Sequence, residues 1–169
     1  MTILFQQLLD ILTKVTDSYV KLLENSRQKT NLIKTNDIDA LSKLLVSERK
    51  LNQQVELLEG QRQEVTEKIF ANLNIDVEEK TVTELLRYMT DDQIKKELEE
   101  KVVKLVEIIV EIREIERLNE ELIQQSLQFV QLSLDLLQPV NKTINYNDNT
   151  QNKNKNKEIQ KRSVFDSKA

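Results

Sequence analysis

The side chains that carry most enzymatic chemistry are missing from this 169-residue chain: it has no histidine, no cysteine and no tryptophan. That excludes a zinc finger, a Ser-His-Asp or Cys-His nucleophile system, and any disulfide. Carboxylates remain, with 29 Asp and Glu against 25 Lys and Arg. They recur at helical spacing beside cations, as in Glu97 with Lys101 and Glu100 with Lys104, which is the pattern of a solvated helix face. A carboxylate-bridged metal pair in a bundle uses Glu-x-x-His, which this chain cannot supply. An EF-hand needs a glycine inside its loop, and the single glycine, Gly60, lies in a helical pattern. The sequence therefore predicts no enzyme, no catalytic residue, no metal ligand and no cofactor.

The chemistry left is apolar recognition, and it is concentrated near the end of the last predicted helix. From Leu118 onward two apolar rows run side by side. The first (Leu118, Leu122, Phe129, Leu132, Leu136) is expected to continue the core. The second (Ile123, Leu127, Val130, Leu134, Leu137) is surplus to a small bundle, in which a helix needs only one apolar stripe. The span Leu122–Leu134 carries no charge and holds four glutamines over 13 residues. It is too short and too polar to cross a bilayer, which takes about 20 apolar residues. Two uses stay open for the second row. It packs inside the monomer or in a homodimer, or it forms a groove for another chain's helix, anchored at i, i+3, i+4 and i+7. Five such side chains set a ceiling of about 8–15 kcal/mol before association costs. Phe129 assists if the core does not use it fully.

These rows depend on long helices, and the composition favours them: one glycine, one proline and 38% hydrophobic residues. A first helix is expected from about Ile3 to Ile33, with Leu4, Leu8, Ile11, Leu12, Val15, Tyr19, Leu22 and Leu23 on one stripe. Asn36 or Asp37 can cap a second helix, from about Ile38 to Leu73. Its stripe is Ile38, Leu41, Leu44, Leu45, Leu51, Val55, Leu58, Val65, Ile69 and Phe70, with Gly60 off it. The short link makes these two an antiparallel hairpin. Residues 71–90 read as a broken connector in which Thr81 and Glu84 form a capping box for a short helix ending at Tyr88. Thr90 with Gln93 is read as a second box. It opens a helix of 48 residues from about Asp91 to Gln138, where Pro139 stops it. At full length this helix outruns the first two by several turns.

Residues 139–169 carry seven basic and three acidic groups, a charge of +4, which leaves −8 on residues 1–138. An acidic body argues against nucleic acid as a partner. No basic stretch precedes the first apolar residues, so no signal peptide is evident, and the absence of cysteine fits a cytoplasmic protein. Seven of the residues from Asn141 to Asn156 are asparagine, interleaved with lysine. Such a segment buries too little to offset the cost of ordering it, and disorder is expected. Val164 and Phe165 return apolar groups near the end, either as part of a solvated tail or as a short docking motif on a tether.

Several of these segments resemble the FlgN family of flagellar type III export chaperones. In the second helix the likeness lies in Asp39-x-Leu41-x-x-Leu44, Glu48-x-x-Leu51 and Leu58-Glu59-x-x-Arg62. In the last helix it lies in Asn119-x-x-Leu122-Ile123-x-x-Ser126-Leu127-x-Phe129. The closing Phe165-Asp166-Ser167-Lys168-Ala169 is similar to the family's hydrophobe-Asp-x-Lys-Ala ending. The asparagine-rich spacer has no counterpart in that pattern. The resemblance implies a cytoplasmic chaperone that binds hook-associated proteins of the hook–filament junction, prevents their premature assembly and passes them to the export apparatus. It also implies client contact toward the C-terminal part of the chain.

The expectations are then these. The fold is all-α, an elongated, coiled-coil-like antiparallel three-helix bundle over residues 1–138, with a short connector helix. A disordered tail follows over residues 139–169. The client-binding residues are Ile123, Leu127, Phe129, Val130, Leu134 and Leu137, and the tail motif is Val164, Phe165 and Asp166. The partners are hook-associated proteins and export-apparatus components, without nucleic acid or membrane insertion, and the chain is a monomer or a weak homodimer. The competing possibility is a structural coiled-coil homodimer or adaptor with no export client.

Overall fold

In the computed structural model, which describes residues 2–137, four helices account for nearly all of the described residues. They are α1 (Thr2–Thr35), α2 (Ile38–Leu73), α3 (Val82–Tyr88) and α4 (Asp92–Leu137). The tail expected over residues 139–169, with its motif at Val164, Phe165 and Asp166, lies outside the described residues.

With glycine all but absent, asparagine makes the turns. Asn36 adopts a left-handed φ of 54° just past α1. Its N–H reaches the Ile33 carbonyl at 3.1 Å, and the Asp37 N–H reaches the Leu32 carbonyl at 3.0 Å. That pair of bonds satisfies carbonyls the helix end would otherwise leave bare. Asp37 then caps α2, its Oδ1 accepting from the Ala40 N–H at 3.0 Å. The two candidate capping residues thus divide the work: Asn36 ends one helix and Asp37 begins the next. Asn74 repeats the first device at the end of α2, again at φ 54°. The Ile75 N–H there bonds the Phe70 carbonyl at 3.2 Å.

Thr81 caps α3 as expected, accepting from the Glu84 N–H at 3.1 Å. The cap of α4 is Asp91 and not Thr90. Its Oδ1 accepts from the N–H groups of Gln93 and Ile94 at 3.0 and 3.1 Å. A carboxylate one residue later adds a favourable charge at the positive helix end, which a threonine cannot. Gly60 sits on an open surface with nothing within 4 Å of where a Cβ would be.

Helix α1 is the middle of the molecule. It packs along α2 and along α4, whose Cα atoms nowhere come within 8 Å of each other. The contacts Lys29–Glu48, Thr13–Lys101 and Thr30–Asn119 fix the directions: α2 is antiparallel to α1, and α4 is parallel to it. Being sandwiched widens the buried surface of α1 beyond the one expected stripe. Leu8, Leu12 and Val15 are joined by buried Phe5 and Leu9, and further along by Ser18, Ser26 and Thr30. The hydrophobic core gathers at one end: Phe5, Leu8, Leu12 and Val15 meet Val65, Ile69 and Phe70 of α2, Val82 and Leu85 of α3, and Leu98 of α4. Phe70 and Tyr88 close it edge to face, with ring centroids 6.5 Å apart. The hairpin end is looser, and Ile38 and Leu45, which the α2 stripe assigns to the core, are exposed there.

Candidate functional site

Toward the hairpin the apolar core gives way to a polar layer that repetition of leucine could not reveal. Lys29 is buried to 6% exposure, with its ammonium 2.8 Å from Glu48 of α2 and 3.0 Å from Glu116 of α4. Burial alone lowers a lysine pKa. Here the hydrogen bonds and negative charges of Glu48 and Glu116 outweigh it, and Lys29 is held above its ordinary value. Ser26 donates to the Glu116 carboxylate from α1. Thr30 donates to Asn119 Oδ1 at 2.7 Å, and Asn119 Nδ2 donates to the Ser26 carbonyl at 3.1 Å. Asn119 is 1% exposed. One cation thus joins two helices that have no backbone approach of their own.

The polar layer was missed at the level of sequence, although a signal for it exists. In α4 the row Val102, Ile109, Glu116, Ile123, Val130, Leu137 advances by seven residues, and so does the row Leu98, Leu105, Ile112, Asn119. Glu116 and Asn119 are the polar members of rows that are otherwise apolar up to those points. A polar side chain at such a position either faces a partner or is a costly defect.

The last bond between α1 and α4 joins Thr30 to Asn119. Carried forward at that offset, the end of α1 at Thr35 falls level with about Gln124. The remaining 13 residues of α4 extend past the hairpin turn by about 20 Å. Their apolar side chains are uncovered: Leu127 is 58% exposed, Phe129 72% and Leu136 87%, and Val130, Leu134 and Leu137 are exposed as well, as is Ile123 just before them.

This corrects the expected division into one core row and one free row. Leu118, Phe129, Leu132 and Leu136, expected to continue the core, are exposed, and only Leu122 among them is half-buried. Part of each row continues a packed one. Ile123, Val130 and Leu137 extend Val102 and Ile109, while Leu122, Phe129 and Leu136 extend Ile108 and Ile115. Neither is covered because α1 and α2 stop short. Ser126 and Ser133 run between the rows, their hydroxyls turned back to the Leu122 and Phe129 carbonyls at 2.8 Å. The result is a helix end with two apolar ridges and a shallow small-residue line between them. A concave surface leads into it from the body, lined by Lys29, Leu45, Arg113, Glu116, Asn119 and Ile123.

All six residues expected to bind a client therefore lie on the exposed end of α4. Among the described residues, no group of three or more Asp or Glu is placed to hold a metal ion. No helix of the described residues is long and apolar enough to cross a membrane.

The family described as FlgN protein matches residues 1–154. A Bacillus subtilis (strain 168) protein described as "Uncharacterized protein YvyG" is 28% identical over 148 residues, covering 88% of each chain. No solved structure matches.

Proposed function

The chain belongs to the FlgN family of flagellar export chaperones, and on that premise we propose that the uncovered end of α4 captures helical segments of hook-associated proteins before export. The observation that carries this is the helix end with its two unpartnered apolar rows. A helix lying over the second row would bury Ile123, Leu127, Val130, Leu134 and Leu137, with the serine line and Phe129 on its flank. No charged side chain lies between Leu122 and Leu134, so no ion is stranded when water leaves. Capture needs no nucleotide, because preference for the unassembled client is enough to hold it back from assembly. Release to the export apparatus follows when that machinery competes for the client. The work is cytoplasmic, where the unassembled client is made.

One observation favours a second use of the same surface. Ile123, Leu127, Val130, Leu134 and Leu137 alternate steps of four and three, as a coiled-coil seam does, and a second copy could pair there. Light scattering on size-exclusion fractions separates the two uses. A defined complex with purified hook-associated protein supports the chaperone role. A stable homodimer that ignores the client assigns the rows to self-association.

A further inference from the structure

Resting on that proposal, we infer that residues 163–169 of this chain occupy the same α4 face when no client is bound, with Val164 and Phe165 as the anchors. Three observations converge on this occupant. The first is reach. The 26 residues between Leu137 and Val164, taken as the coil their composition predicts, span about 28 Å root-mean-square. The uncovered part of α4 is about 20 Å long and begins where that coil is attached. The apolar pocket at the far end of the bundle, lined by Phe5, Leu73, Tyr88 and Met89, is a poor alternative. It lies nearly the whole 46-residue length of α4 away, about 65–70 Å. The second is charge. From Leu118 to Leu137 the helix carries Glu120, Glu121 and Asp135 and no cation, whereas residues 139–169 carry +4. The third is chemistry. Val164 and Phe165 form the one adjacent apolar pair from Asn141 to Ala169, where Ile144, Tyr146 and Ile159 are isolated among polar residues, and the nearest uncovered apolar surface in the described residues is the end of α4.

Tethering gives the motif a millimolar effective concentration at the face, so a contact too weak to hold between separate molecules is populated within one. A two-residue anchor is weak enough for a client helix with five or six to displace it. The tail then acts as a placeholder that shields the apolar rows until the client arrives.

The absence of cysteine makes the test direct, because a single Ser163→Cys substitution is the sole site for a spin label. The full-length, client-free chain is labelled there, and the methyl resonances of Ile123, Leu127, Val130 and Leu134 are followed. The expected result is broadening that is unchanged on dilution and lost in Phe165→Asp. In the same series Phe165→Asp tightens the affinity for purified hook-associated protein by about two- to tenfold, because the competing closed form is gone. No broadening at α4 overturns the placeholder while leaving the client site untouched, since no client is present in that sample. Broadening that appears only when labelled and unlabelled chains are mixed also overturns it, and assigns the face to a second copy. If the placeholder signal is present and neither protein binds the client, it is the chaperone site that fails.

Discussion

At the scale of single residues the polar layer separates what stabilises the fold from what is left to bind. Lys29 is compensated by two carboxylates, so Lys29→Met removes the partner of both and leaves Glu48 and Glu116 facing each other across α1. Because both carboxylates are partly exposed, the loss expected is about 1–3 kcal/mol, below that of a fully buried pair. Thermal melting of the two proteins at neutral pH measures it. The same ammonium gives a pH signature. Its pKa is raised in the folded state, so its stabilisation is complete below the ordinary lysine value of 10.5 and is lost as pH rises through the higher folded value. Melting temperatures taken from pH 9 upward should fall more steeply for the wild type than for Lys29→Met. Parallel curves would mean that Lys29 does not titrate as a partner of Glu48 and Glu116.

At the scale of elements, the caps account for where the helices start and stop. Asp91→Ala should cost about 1 kcal/mol, while Thr90→Ala should cost little, and a pair of chemical-denaturation curves distinguishes them. Gly60→Ala should add roughly 0.5–1 kcal/mol, since the new methyl meets nothing and the helix gains propensity. Helix existence and order were readable from spacing alone, and the start of α2 and the extent of α3 agree with that reading. Thr90 and Asp91 were not separable in the sequence, because Thr-x-x-Gln and Asp-x-x-Ile are both plausible beginnings and only backbone geometry chooses. Nor was the burial of α1 on two sides readable. Its extra inward residues, Ser18, Ser26 and Thr30, are short polar side chains that stripe counting assigns to solvent. They fit between close-packed helices because the Thr30 hydroxyl bonds within the layer and Ser18 bonds back to the Lys14 carbonyl.

At the scale of the whole molecule the architecture is polarised. One end holds the aromatic and aliphatic core with α3 over it. The other ends in a polar layer, beyond which α4 continues alone. That α4 outruns its partners could be foreseen from its length. Which of its two rows would be left bare could not, because that depends on the offset between α1 and α4, and a sequence pattern holds no register between helices. Both rows proved bare for the same reason. On the proposed function, the division also separates stability from binding. Removing residues 140–169 should leave the main melting transition within about 2 °C, since the core lies at the opposite end from the tail's attachment.

The central claim, that the projecting end of α4 is the client surface, is tested most directly by calorimetric titration of purified hook-associated protein into two proteins. One is the wild type and the other is Leu127→Asp combined with Val130→Asp, with helicity and melting of each recorded alongside. Both residues are exposed, so the variant is expected to keep its helix content and to melt within about 2 °C of the wild type. Its affinity for the client should fall by about a hundredfold or more, as two buried anchors are replaced by charges. A variant that folds normally and binds as tightly as the wild type would contradict the claim. So would one that unfolds, because the two side chains would then belong to the core.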